Sequence, residues 1–170
     1  YIDRQVAYFQ EYAKQYTDMP MLVRLVKKDG RLVPDRLLRA SDFTGSLDEA
    51  NNPDWKTVAY DKRTNGIVCP RGSIGFRWGE QGKWNLEQKT GKGDETDLVI
   101  SLIEARDDVA EVAFPYFGNR EHDHFHGTDH PDVLERRVPV KRLALKDGET
   151  LVATVFDLMT ANYGVDCGLG

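Results

Sequence analysis

Three short turn signals, each set between runs of strand-forming residues, constrain this chain most. Asp29-Gly30, Asn65-Gly66 and Asp147-Gly148 are dipeptides in which both residues readily take the positive φ of a tight hairpin turn. Met21 to Val26 before the first turn, Trp55 to Tyr60 before the second and Val138 to Leu145 before the third are apolar or alternating runs. Each reads as the first strand of a hairpin. Arg31 to Arg39, Ile67 to Cys69 and Leu151 to Thr154 are the returns, the first of them interrupted by Pro34 and so expected to be irregular or at an edge. Antiparallel pairing between sequence neighbours is therefore the dominant expectation.

Helices are expected only at the two ends. Ile2, Val6, Phe9, Ala13 and Tyr16 recur every three or four residues, which places one apolar stripe on a helix over residues 2–16. Thr17-Asp18-Met19-Pro20 ends it, because proline disfavours helical backbone in the residue before it. Val155 to Tyr163 reads as a second helix with Phe156, Met159 and Tyr163 on one side. Leu98 to Ile103 and Glu111 to Phe117 are two further expected strands, and residues 41–53 a loop or short capped helix. Six glycines at 72, 75, 79, 82, 91 and 93, among Phe76, Trp78 and Trp84, predict a rigid, turn-rich segment over residues 72–93 with no regular element. The fold class is α+β, with antiparallel hairpins flanked by helices. The chain opens on Tyr1 within a helical pattern and stops at Cys167-Gly168-Leu169-Gly170, just after another helix has begun, so a piece of a longer polypeptide is expected.

Composition excludes several functions. The formal charge is −5, from 23 basic and 28 acidic residues with the signs interleaved, so no basic stripe offers itself to nucleic acid. No apolar run approaches the roughly 20 residues that span a bilayer. The two cysteines, Cys69 and Cys167, lie far apart and form no CxxC pair, which argues against a zinc or iron–sulfur site built from this chain alone.

Candidate chemistry is sparse. All four histidines, His122, His124, His126 and His130, fall in residues 119–132. On a strand the first three would share one face and suit zinc, nickel or copper. A polar loop seldom supplies the outer hydrogen bonds that hold a ligating imidazole, so the window reads as a solvated loop. The Gly72 to Gly79 segment contains GxxG but opens no helix after a strand, so it fails as a phosphate cradle, and Arg77 between Phe76 and Trp78 reads as a stacking residue. Asp18 reads as a turn residue, and Asp107-Asp108 as solvated carboxylates. No catalytic, cofactor-binding or metal residue is assigned.

A different kind of signal lies in longer strings. Tyr16-Thr17-Asp18-Met19-Pro20-Met21-Leu22-Val23, Leu37-Leu38-Arg39-Ala40-Ser41-Asp42, Asn51-Asn52-Pro53-Asp54-Trp55-Lys56-Thr57-Val58-Ala59 and the run from Gly72 through Gly79 to Gln88 follow one another in order. Phe114 to Gly118, Val138 to Leu143 and Val155 to Leu158 continue the series. Together they closely resemble the catalytic α subunit of respiratory, membrane-bound nitrate reductase, in the dimethyl-sulfoxide-reductase superfamily. The histidine-rich loop carries least of the likeness.

The resemblance implies a segment of a larger multidomain α/β molybdoenzyme. Its parent would hold a bis(molybdopterin guanine dinucleotide) molybdenum centre and a 4Fe-4S cluster, and would reduce nitrate to nitrite. Electrons would come from quinol through an iron–sulfur β subunit and a membrane cytochrome b γ subunit, which would keep the enzyme at the membrane, on its cytoplasmic face. The family's cluster-binding cysteines and its aspartate ligand to molybdenum have no counterpart here, so the segment is expected to be structural and inactive alone. Within it, residues 1–26 would be a helix–strand unit of an α/β domain, 27–154 a hairpin-rich insertion, and 155–170 the start of the next helix and a linker. Two alternatives stand beside this reading. One is a sibling molybdoenzyme acting on chlorate, perchlorate or selenate. The other is a stand-alone β-rich binding module, which a deep ligand-sized pocket would favour. The fragment reading expects an apolar patch on the first helix, over Val6, Phe9 and Ala13, that the parent would cover.

Overall fold

The computed structural model describes residues 6–72, 86–115, 133–164 and 169. In chain order its elements are α1 (Ala7–Tyr16), β1 (Leu22–Lys28), β2 (Arg31–Leu37), a 3-10 turn (Ala40–Asp42), β3 (Ala59–Asp61), β4 (Gly66–Val68), β5 (Pro70–Gly72), β6 (Leu86–Thr90), β7 (Asp108–Pro115), β8 (Val133–Leu145), β9 (Gly148–Thr154) and α2 (Val155–Asn162). The α+β character and the antiparallel hairpins expected from the turn signals are both present.

All three hairpins are present, but only the first is turned by its dipeptide; Gly66 pairs with Asp61 and Gly148 with Leu145, so those turns are residues 62–65 and 146–147. Asp29 and Gly30 sit at φ 50° and 79°, the paired left-handed conformation of a two-residue hairpin, and join β1 to β2. Asn65 at φ 53° leads into β4, and Gly148 at φ 126° opens β9.

The hairpins do more than stand side by side. Strands β1, β2, β7, β8 and β9 close into a barrel in the order β1-β2-β7-β8-β9. Four seams are antiparallel ladders. The fifth, between β2 and β7, is parallel and rests on one registered pair, Leu32 with Val112. Pro34 explains that thin seam in part: it brings no N–H to its strand, and the β1–β2 register shifts between Val23 and Leu25, next to the Leu25–Pro34 pair. The irregularity expected at Pro34 is therefore present, at the place where the barrel closes.

Successive residues of β1 and β9 serve two cores, as strand alternation requires. Leu22 and Val152 join Leu38, Tyr60 and Leu102 in one cluster, while Val23 and Ala153 join Val112, Phe114, Val138 and Val140 in another. Helix α2 follows β9 directly. The Thr154 hydroxyl accepts the Asp157 N–H at 3.0 Å as an N-cap, and Leu158 and Ala161 pack on the second cluster. The chain leaves α1 and enters α2 at the same spot, since Phe156 and Val155 donate backbone hydrogen bonds to the Met19 and Met21 carbonyls at 3.1 and 3.0 Å.

Four expectations need correction. Trp55 to Tyr60 is not a strand throughout: Trp55 lies in a turn, Thr57 makes an isolated bridge to Arg39, and the ladder begins at Ala59. Leu98 to Ile103 is not a strand either. Buried carboxylates take two of the N–H groups in this neighbourhood: Asp61 accepts from Asp97 at 2.7 Å and Asp157 from Leu102 at 2.8 Å. Pro70-Arg71-Gly72, just beyond the expected return Ile67 to Cys69, is a strand of its own, β5. Residues 86–90, expected to be irregular, form its partner β6. Those two strands lie on either side of residues 73–85, so no local pattern announces their pairing.

Gly91 follows β6 closely enough to the backbone of residues 48–50 that a Cβ would collide with the Asp48 carbonyl and lie 2.7 Å from the Ala50 nitrogen. Neither is the movable end of a side chain. Gly91→Ala is expected to lower the unfolding free energy of the 170-residue chain by about 2 kcal/mol, read as a shifted urea midpoint at unchanged slope. An unshifted midpoint would refute that close approach.

Candidate functional site: the groove beside the first helix

Helix α1 is held by a narrow face against α2, β6 and the loop at Asp97. Ala13 is fully buried, Phe9 meets Phe156 with ring centroids 6.3 Å apart, and Lys14 Nζ pairs with Asp97 Oδ1 at 2.9 Å. Thr17 secures the helix end, its hydroxyl donating to the Ala13 carbonyl at 2.7 Å. Between α1, the β3–β4 hairpin and residues 97–105 lies a cavity of about 330 Å³. Phe9 and Phe156 form an apolar end, and Lys14, Asp97, Ser101 and Glu104 bring polar groups to it.

Those polar groups are already engaged with one another. Besides the Lys14–Asp97 pair, Lys62 meets Glu104 at 3.3 Å and the Tyr60 hydroxyl donates to Asn65 Oδ1. The Ser101 hydroxyl donates to Asp157 Oδ1 at 2.6 Å. The Tyr60 ring also carries the Lys141 ammonium 5.0 Å from its centroid. Asp157, at the start of α2, is a carboxyl driven towards neutral pH. Burial pushes it up to about 6, against the Leu102 N–H and the Ser101 and Thr154 donors that favour its charged form. Its oxygens bind the 101–102 backbone and side chain, so it fastens the cavity wall to α2. This geometry positions segments of the chain against one another.

The residues singled out in the sequence fall as follows. Asp18 is exposed, and its carbonyl accepts the Met21 N–H at 2.9 Å, as a turn residue does. Cys69 is buried, its thiol 3.6 Å from the Thr57 carbonyl. Asp107 is more than solvated. It accepts from the Arg142 N–H at 2.9 Å and Lys141 Nζ at 3.0 Å, which hold its carboxyl below the ordinary range and tie its loop to β8. Gly72 lies in β5, while residues 73–79 with Arg77, the histidines at 122, 124, 126 and 130, and Cys167 all lie outside the described residues. Among the described residues, no group of three or more His, Cys, Asp or Glu side chains is arranged to hold a metal ion. Nor is any described helix long and apolar enough to cross a membrane.

The expected apolar patch on α1 differs from the one present. Ala13 is shut in and Phe9 half-buried, leaving Val6 open at 37% exposure. The open face is instead aromatic: Tyr8, Tyr12 and Tyr16 are 79%, 50% and 56% exposed. They sit four residues apart, with successive ring centroids 6.5 and 5.2 Å apart. That four-residue spacing is present in the sequence, interleaved with the stripe of Val6, Phe9 and Ala13.

No family model matches the chain. It is 54% identical over 172 residues to respiratory nitrate reductase 1 alpha chain of Escherichia coli, and 52% identical over 171 residues to respiratory nitrate reductase 2 alpha chain of the same organism. Each match takes in 99% of this chain and 14% of the relative. Nitrate reductase alpha chain of Bacillus subtilis is 39% identical over 173 residues, all of this chain and 13% of the relative. Spanning about a seventh of their length, the chain corresponds over nearly every one of its residues to a segment of the nitrate reductase alpha chains.

Proposed function

We propose that this chain is a structural segment of the catalytic α subunit of a molybdenum-dependent respiratory nitrate reductase, and that it performs no turnover by itself. The observation that carries the reading is the 54% identity along 99% of the chain. In the whole enzyme, bis(molybdopterin guanine dinucleotide) molybdenum would supply the oxygen-atom transfer that turns nitrate into nitrite. A 4Fe-4S cluster, an iron–sulfur β subunit and a membrane cytochrome b γ subunit would deliver electrons from quinol at the cytoplasmic face of the membrane. The described residues do not fit either metal group: no three potential ligands converge among them, and Cys69 is buried with its thiol against backbone.

The segment's task is then architectural. Residues 27–154 act as a hairpin-rich insertion between a helix–strand unit, 1–26, and the helix and linker of 155–170. Support comes from the strand that precedes the insertion: Leu22, five residues ahead of it, pairs with Thr154, its last residue, so the chain leaves and returns close together, as inserted units do.

The test uses the whole α subunit in its complex, assayed with a reduced viologen. Nitrate is expected as the preferred oxidant over chlorate and selenate by kcat/KM, while the purified 170-residue chain turns over none of them and retains no molybdenum. Preference for chlorate or selenate would move the parent to a sibling enzyme. Nitrate reduction by the 170-residue chain alone would overturn the structural role.

A further inference from the structure

We propose that the tyrosine strip of α1 is an intramolecular docking face, covered in the whole protein by another part of the same α chain. The inference rests on the reading of the chain as a segment of that subunit. Tyr8, Tyr12 and Tyr16 recur every fourth residue and so fall on one strip of the helix, the rings forming a continuous ladder. Val6, also open, extends the apolar surface at the helix start. Phe9, Ala13 and Lys14 hold α1 against α2 and the Asp97 loop, while the three tyrosines stay exposed.

Three neighbouring tyrosines are a costly way to face water, and tyrosine is enriched where protein surfaces meet. Its ring removes apolar area from solvent and its hydroxyl finds a polar partner, so the fitting occupant is an apolar surface carrying hydrogen-bonding groups. The length of the relatives says which polypeptide supplies it. This chain spans 14% of them, so about six-sevenths of the α chain lies outside the structure. That remainder is covalently joined to α1, and a joined partner competes at an effective concentration of about millimolar, ahead of separate subunits.

Tetranitromethane nitration of the full-length α chain, purified without its partner subunits, tests this. Modification at Tyr8, Tyr12 and Tyr16 is followed by peptide mass spectrometry and compared with the same protein unfolded in guanidinium. Water exclusion at a packed face is expected to slow nitration of Tyr8 and Tyr12 about tenfold or more. A smaller slowing would overturn the proposal. So would protection that appears only when partner subunits are added, since the occupant would then be a different protein. Nitrate turnover of the assembled enzyme is measured separately: an active nitrate reductase with open tyrosines refutes the docking face alone, and an inactive one with covered tyrosines refutes only the assigned activity.

Discussion

Replacing Asp61 by alanine is expected to destabilise the 170-residue chain by about 4 kcal/mol. Asp61 has no exposed surface, and it gathers four donors at the β3–β4 turn. The Asp97 N–H reaches it at 2.7 Å, the Thr64 hydroxyl at 2.8 Å, and the Arg63 and Thr64 N–H groups at 3.2 Å each. The Asp97 bond matters most, because it joins residues 36 apart and pins the 97–105 stretch to the hairpin. Alanine would leave these donors facing a hole. Asparagine is nearly isosteric, yet it is expected to cost about 2 kcal/mol, because its amide group donates where donors already point inward. Burial alone would raise this carboxyl, but the Asp97, Thr64 and Arg63 donors outweigh it and hold it below the ordinary range. Its stabilising contribution is thus present above the unfolded value, about 3.9, and lost as pH falls through the lower folded one. Urea unfolding of the two variants measures both costs, and an Asp61→Asn midpoint equal to wild type would refute the account.

What the sequence made legible was local. Asp29-Gly30 announced its hairpin because those two residues form the turn. The turns near Asn65-Gly66 and Asp147-Gly148 are made by residues 62–65 and 146–147, with Gly66 and Gly148 already paired in their strands. Barrel closure was not legible, since the β2–β7 seam depends on a single pair between Leu32 and Val112, far apart in sequence. Leu98 to Ile103 was misread for a related reason. Its leucines are buried as a strand's would be, but Asp157 takes the Leu102 N–H and Asp61 that of Asp97 just before the stretch, and side chains 55 and 36 residues away leave no local trace. The cavity beside α1 was equally invisible, being assembled from four separate parts of the chain. The family was read from long strings of residue identity and not from periodicity, which is why it reached function when the physical patterns reached only fold.

Asp157 makes the opposite prediction to Asp61, although both are buried aspartates. Burial raises Asp157 to about 6 because fewer strong donors reach it: the Leu102 N–H at 2.8 Å and the Ser101 hydroxyl at 2.6 Å, with Thr154 adding a little. The folded chain therefore holds this proton more tightly than the unfolded chain, whose aspartate titrates near 3.9. The stability that goes with protonation is fully present below about 3.9 and is lost as pH rises through about 6. A shift of about two pH units corresponds to about 3 kcal/mol of lost stability by pH 7. Asp157→Asn removes the charge and keeps the bonds, its carbonyl accepting from Leu102 and its amide donating to the Ser101 oxygen. Asp42, Asp61 and Asp107 are held low and tilt the stability curve the other way, so the difference between variant and wild type is the quantity to follow. That difference is expected to grow in favour of Asp157→Asn between pH 4 and pH 7, by about 3 kcal/mol, and then level off. Asp157→Ala strands the Leu102 N–H in a site with no exposed surface, and at pH 5 it is expected to fall about 2–3 kcal/mol below wild type. Parallel pH curves for wild type and Asp157→Asn would mean that the buried carboxyl titrates as it does in water, and that the wall beside α1 is not fastened through it.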